Sequence, residues 1–228
     1  DILPDKKTVS LPAHLIEDSV SSAPDNVVMA ARNVAFDQKI ENGITHFAPF
    51  SGQIKIVDPL TLRVRLSKKD DVADCARLCD TLDEVNIVTR MLNALDYPPS
   101  MMQLHNVDAL LHNTSKHFVI GIENEWEVKK LKKMAVAMAG DCPRLNNHPP
   151  FSLQVALTSP LKLTKATSQV IVESTKAGFN TIISTMAMGG ATAPIFLAGT
   201  LALTNAEILS GIVLSQIVNK GAPIVYSN

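Results

Sequence analysis

Cysteine is scarce in this chain: three residues, Cys75, Cys79 and Cys142, among 228. An odd, sparse set does not make a disulfide framework, and a reducing cytoplasm fits it. Cys75 and Cys79 lie four apart in a helical pattern. No His/Cys cluster at zinc spacing completes them, so they read as two small residues on one helix face. Charge excess is also missing, with 21 Lys and Arg against 22 Asp and Glu. That balance points to no nucleic acid partner, and no charge block suggests a tail. No GxGxxG follows the first strand candidate, and no loop resembles a phosphate cradle. No paired carboxylates stand at neighbouring strand ends. The six histidines, His14, His46, His105, His112, His117 and His148, are scattered without triad spacing. Acid–base and metal chemistry therefore have little support. The chain has neither an initiator Met nor a signal peptide, so the N-terminus is expected to be a processed or cut end.

What the chain does have is a long stretch almost free of charge. Between Lys176 and Lys220 the only ionisable side chain is Glu207. Residues 177–219 are apolar enough to resemble a membrane helix. Gly189-Gly190 and Pro194 interrupt that span early, and Asn205 and Glu207 fall in the rest of it. An acid in mid-bilayer costs roughly 3 kcal/mol, so a buried helix with no membrane partner is expected.

Residues 1–40 read as an N-terminal lead-in, with a short helix near residues 11–18 and a β-hairpin arm over 26–35. Residues 41–228 read as a repeat. Strand candidates start near 44, 85, 118, 151, 180 and 224, with helices between them. Alternation in Leu62–Leu66 after Asp58-Pro59 predicts a hairpin insertion over 54–66. Ser67 is the expected cap of a helix to about Leu82, and Gly178 is the expected terminator of a helix over 164–177. The lysines at 129, 130, 132 and 133 mark a solvated face of a helix from Glu125 to Ala139.

A βα repeat implies parallel strands and right-handed crossovers. A doubly wound sheet and a (β/α)8 TIM-type barrel compete. Polar residues gather at the C-terminal strand ends (His46, Asn124, Thr158, Ser159, Thr185), and this favours the barrel, whose active site lies at that face. The fold class expected is α/β, an incomplete barrel of about six βα units, with roughly two more units expected after Asn228.

Candidate site residues follow from that geometry. The loop after the fifth strand carries Met186, Met188, Gly189, Gly190 and Thr192. Paired glycines allow positive φ and close backbone approach, and methionines give adaptable walls. His46 ends the first strand candidate, and Tyr226 ends the sixth and is expected to point into the mouth. Asn205 and Glu207 read as polar anchors between helix and neighbours. No catalytic residue and no metal ligand is assigned.

Several strings resemble one family in order and spacing. They are Ser159-Pro160-Leu161, the run Ser184 to Pro194, Leu197-Ala198-Gly199, Asn205-Ala206-Glu207 and Gly221 to Tyr226. They are similar to the corrinoid-dependent trimethylamine and glycine betaine methyltransferases. Pro12–Pro24, Asp74–Asp83 and His112–Lys116 resemble that family more loosely. The resemblance implies a (β/α)8 barrel that takes a methyl group from a quaternary or tertiary amine. It also implies that the methyl group passes to Co(I) of a corrinoid (cobalamin) carried by a separate small protein. The partners implied are that corrinoid protein and the amine, with a homo-oligomer compatible and no metal bound directly. Two departures bear on the substrate. His46–Gly52 replaces the family's glycine run, and His117 stands where a Pro is usual. The trimethylamine enzyme's pyrrolysine position falls beyond Asn228, and a betaine-type member without it is expected. This chain alone is expected to be inactive. The alternatives are another small-molecule barrel enzyme, or a non-catalytic relative or binding module.

Overall fold

A computed structural model describes residues 2–3 and 8–227. The chain starts with a minimal antiparallel pair, β1 (Ile2–Leu3) and β2 (Thr8–Val9). Helix α1 (Ala13–Ser22) follows, with Pro12 as its N-cap. An antiparallel hairpin joins β3 (Val27–Met29) to β4 (Gln38–Ile40). A second joins β5 (Lys55–Val57) to β6 (Val64–Leu66). The expected hairpin over 54–66 is therefore present, while the arm expected over 26–35 spans 27–40.

The repeat then runs α2 (Lys69–Thr81), β7 (Val88–Thr89), α3 (Pro99–Asn113), β8 (Phe118–Gly121), α4 (Glu125–Ala139), α5 (Pro143–Asn147), β9 (Phe151–Leu157), α6 (Lys165–Lys176), β10 (Thr181–Thr185), α7 (Leu197–Val218) and β11 (Ile224–Tyr226). One five-stranded sheet has the order β11-β10-β9-β8-β7, and every pairing in it is parallel. Strands sit in chain order with no reversal, so the sheet has no switch point of the doubly wound kind.

The strand expected at 44–47 is not one. Pro49 cannot donate to a ladder, and Gly52 has φ +89°. The segment instead follows β7 irregularly. The Phe47 carbonyl accepts from Asn86 and Ile87 N–H, Gly52 N–H donates to the Arg90 carbonyl, and Gln53 bridges Leu92 in parallel. The helix cap expected at Ser67 also moves. Lys68 is the N-cap of α2, its N–H donates to Asp71 at 2.8 Å, and Ser67 Oγ donates to the Asn93 carbonyl at 2.7 Å. Gly178 does terminate its helix, at φ +75°.

Strand alternation sorts side chains onto two faces. Phe118, Phe151 and Phe179 pack in a row at centroid distances of 4.9 and 5.2 Å, within the core shared with the helices. Gly211 of α7 lies so close to Ile183 that a Cβ there would come within 2.8 Å of Ile183 Cγ2. The odd positions of β10 thus face the helices, and the even ones face the opposite side of the sheet. On that side Ile87, Ile182, Val119 and Val225 pack with Met29 and Ile40 of the β3–β4 hairpin. Asn180 Nδ2 donates to the Val28 carbonyl at 2.9 Å, so the hairpin covers this face where the strands begin.

His117 pins this closure. Its Nδ1 donates to the Ala30 carbonyl at 2.8 Å, and its Nε2 accepts from Ser152 Oγ at 2.7 Å. Complete burial pushes its imidazole down to about 4. It sits at the start of β8, not at a pocket. The preceding residues are structural as well. Thr114 and Ser115 donate to Asp80, and the buried Lys116 ammonium donates to the carbonyls of Cys79, Leu82 and Val85 at the end of α2.

Helix α7 is the one helix among the described residues long and apolar enough to cross a membrane. It packs on β10 and on α6 and α1, and Thr204, Glu207, Ser215 and Gln216 are buried along it. Glu207, Ser215 and Gln216 find hydrogen-bond partners inside the domain, although only a third of the helix's most apolar window is buried.

Candidate functional site at the C-terminal strand edge

Away from the hairpin, the same face of the sheet turns polar. Gln154 and Ala156 of β9 share it with Ser184 of β10, and Gln154 Nε2 donates to Ser184 Oγ at 3.1 Å. A cavity of about 200 Å³ opens there, lined by Arg90, Gln103, Gly121, Ile122, Glu123, Gln154 and Ala156. Gly121 leaves it open, since a Cβ there would meet nothing within 4 Å.

Arg90, just past β7, is gripped by amides. Its Nη1 donates to Asn93 Oδ1 at 2.7 Å and Gln103 Oε1 at 3.0 Å. Gln103 is fixed in turn, donating to the Gly121 carbonyl at 2.8 Å and accepting from Asn106 at 3.0 Å. Asn93 reaches the Gln53 carbonyl at 3.0 Å and Asn106 takes the Ala94 N–H at 2.8 Å. This network ties the ends of β7 and β8 to α3 and to the irregular segment. Arg90 Nε is buried with no partner. Burial pulls the guanidinium below its ordinary value, against the opposing charges of Glu123 and Glu127.

A second cluster braces the neighbouring rim. The Glu207 carboxyl group, 1% exposed, accepts from Ser159 Oγ at 2.8 Å, from the Leu161 N–H at 2.8 Å and from Thr185 Oγ1. One side chain of α7 thereby holds the loop after β9 and the last residue of β10, which is the anchoring role expected of it.

The predicted site residues do not converge. The Met186–Thr192 loop lies at the C-terminal edge as expected, but Met186 is 75% exposed and Met188 52%. The loop bonds mainly to itself. The Met188 carbonyl accepts three N–H groups, from Ala191, Thr192 and Ala193, and Thr192 Oγ1 accepts the Met188 N–H at 2.9 Å. Gly190 has φ +79°, whereas Gly189 has no positive φ and a Cβ there would sit 3.5 Å from Thr200 Oγ1. Tyr226 does not point into the mouth. Its register partner is Ile183, which faces α7, and its hydroxyl donates to Asn205 Oδ1 of α7 at 3.3 Å. His46 lies at the other end of the sheet, bonded to the Lys39 carbonyl at 3.0 Å, because the segment it opens meets the start of β7 and not its end.

The cavity residues Arg90, Gln103 and Gln154 escaped the sequence reading. Gln154 carried a signal: one amide inside the apolar run Phe151–Leu157. A larger groove of about 370 Å³ lies between α4 and α6, but there Lys129 and Glu173 pair with each other at 3.6 Å. Among the described residues no three His, Cys, Asp or Glu side chains converge as metal ligands would.

A singly wound parallel α/β domain, closed at one end by a hairpin and polar at the C-terminal strand edge, is the class these features define. The family model for trimethylamine methyltransferase (MTTB) matches residues 2–228, and the chain belongs to that family. It is 40% identical over 222 residues to trimethylamine methyltransferase MttB of Desulfitobacterium hafniense (strain DSM 10664 / DCB-2), covering 97% of this chain and 45% of the relative. It is 32% identical over 229 residues to trimethylamine methyltransferase MttB of Methanosarcina barkeri, covering 96% of this chain and 46% of that protein. It is 27% identical over 223 residues to the glycine betaine methyltransferase of Desulfitobacterium hafniense (strain Y51), covering 97% and 46%. The chain thus spans just under half the length of these curated relatives.

Proposed function

We propose that this chain forms part of a (β/α)8 barrel methyltransferase that moves a methyl group from a quaternary or tertiary amine to Co(I) of a corrinoid on a separate protein. The match to the trimethylamine methyltransferase family over residues 2–228 carries this reading. The sheet supports it: five parallel strands in chain order, with residues 47–53 alongside β7 in place of a regular first strand. Residues 1–40 are then the lead-in, its hairpin closing the lower end, and 41–228 the barrel portion. Three free cysteines, Cys75, Cys79 and Cys142, suit a cytoplasmic enzyme.

The chemistry asks for positioning more than for proton transfer. The methyl carbon is displaced in line, the amine nitrogen keeps the bonding pair, and the acceptor supplies the nucleophilic electron pair. A quaternary ammonium offers no proton, so it is held by negative charge and by oxygen dipoles. At the concave mouth Glu123, Gln154 and Ser184 supply such groups, and the amide network around Arg90 keeps the wall rigid. A preorganised wall lowers the entropy lost in reaching the reactive pose. The exposed Met186, Met188, Ile195 and Phe196 at the same edge form an apolar collar suited to a broad, flat acceptor.

The test is spectroscopic. The intact protein, given Co(I) cobalamin and either trimethylamine or glycine betaine, should convert the Co(I) absorbance to that of methyl-Co(III). No conversion with either amine, under conditions where a known family member reacts, would sink the proposal.

A further inference from the structure

The hairpin of β5 and β6 carries an apolar surface that its own fold does not use. We infer that it is a self-association surface, on which the same hairpin of a second copy of this chain packs across a two-fold axis. The inner side is occupied. Ile56 packs against the core, and its register partner Arg65 donates to Asp58 at 2.9 Å and to Asp71 at 2.7 and 2.8 Å. Alternation sends Lys55, Val57, Val64 and Leu66 outward, and all four are exposed. Leu60, 92% exposed, and Leu62, 77% exposed, extend the apolar surface at the turn. The turn presents them rigidly. The Asp58 carboxylate accepts from the Leu60 and Thr61 N–H groups at 3.1 and 2.9 Å, and the Leu62 N–H donates to the Asp58 carbonyl at 2.8 Å. Leu62 is held at φ +56°, where folding alone favours glycine or asparagine. A leucine kept there in solvent adds nothing to the core, and what it can contribute to is a partner surface. The five aliphatic residues expose on the order of 650 Å², more than a monomer usually leaves in one patch. With the Lys55 stem they approach the roughly 800 Å² that each partner gives to a standard interface.

The pattern fits a copy of itself. A two-fold contact needs a self-complementary face. With the axis at the Val57–Val64 pair, the leucines at the turn of one hairpin reach Leu66 at the base of the other. The same antiparallel arrangement brings Arg63, beside the turn, towards Asp70, which lies beyond the base in the first turn of α2. Both are exposed, and neither enters an ion pair among the described residues. The chain's net charge of -1 leaves little repulsion between copies. Sedimentation equilibrium of the intact protein, from about 0.1 to 50 µM, tests this. Dimers, or assemblies built from them, should be present. Leu60→Asp should weaken the contact by about tenfold or more, and Leu60→Asp with Leu62→Gly should shift the mass to the monomer. The thermal midpoint of that double variant should equal or exceed that of Leu60→Asp, because glycine adopts φ +56° freely. Arg63→Asp should weaken association about fivefold, and adding Asp70→Arg should restore it, since the axis pairs the reversed charges again. That rescue keeps the test decisive even if the leucine variants fold poorly. A monomer across the whole range would overturn the inference. So would an assembly whose mass is unchanged in the double variant, or charge reversals without rescue. Neither mass nor midpoint depends on methyl transfer.

Discussion

Glu207→Gln isolates the brace at the strand edge. The carboxyl group takes three donors, Ser159 Oγ, Leu161 N–H and Thr185 Oγ1, and no Lys or Arg pairs with it among the described residues. Hydrogen bonds to a charged group contribute roughly 1.5–3 kcal/mol each. Glutamine preserves the volume. Its oxygen keeps the Leu161 N–H, and its NH2 replaces the oxygen that takes both hydroxyls, so Ser159 and Thr185 must turn to accept from it. Three bonds to a carboxyl group become bonds to a neutral amide, each weaker. The balance is a loss of roughly 1–2 kcal/mol. With a urea m-value of about 2–3 kcal/mol/M, the denaturation midpoint should fall by about 0.5 M at unchanged slope. The Leu161 amide should also exchange hydrogen faster, because its acceptor is the substituted group. A midpoint within about 0.2 M of the parent protein would refute the reasoning and demote Glu207 to a tolerated buried acid.

Other positions give independent checks. His117 stays neutral in the fold down to about 4, whereas the unfolded chain's imidazole protonates near 6.5. The unfolded state binds more protons between those values, so stability is full above about pH 6.5 and falls by roughly 2–3 kcal/mol toward pH 4. His117→Gln should flatten that part of the thermal midpoint profile, and an unchanged slope would contradict the assignment. Gly211→Ala drives a Cβ to 2.8 Å from Ile183 Cγ2, so α7 must shift off β10, at roughly 1–3 kcal/mol in urea titration. Gly190→Ala should cost about 1 kcal/mol from its φ of +79°, while Gly189→Ala should cost less than half of that; equal losses would count against the loop geometry.

Much of the architecture was readable from the chain because local signals agreed. The apolar run Phe151–Leu157 became a strand with those bounds, and Glu125–Ala139 became a helix with Lys129, Lys130 and Lys133 exposed, while Lys132 is half-buried with its ammonium 5.7 Å from the Phe179 ring centroid. Errors arose where a local signal met a competing constraint. Residues 44–47 have strand-like side chains, but Pro49 and Gly52 prevent a ladder, and the chain follows β7 irregularly. The candidate site suffered more. Tyr226 was placed at the correct strand end and on the wrong face, because facing depends on register, and a step of one residue inverts it. His46 failed for a related reason: moving the first strand later in the chain carries its start to the opposite end of the sheet. Arg90 had no signal at all, since its role comes from Asn93, Gln103 and a cavity wall built by two other strands.

The sheet face on which the hairpin packs divides in two along the strands. At the strand starts, Met29 and Ile40 fill the space over Ile87, Val119, Ile182 and Val225, and His117 bolts the hairpin to Ser152. Substitutions there act on folding. Two residues further along the same strands, Gly121, Gln154 and Ser184 replace the apolar layer. The network through Asn93, Gln103 and Asn106 restrains the end of β7, and Glu207 restrains the ends of β9 and β10. Both restraints come from the helix layer, so they hold the rim in place without filling the mouth. That division leaves the cavity bounded by Arg90, Gln103 and Gln154 with braced walls.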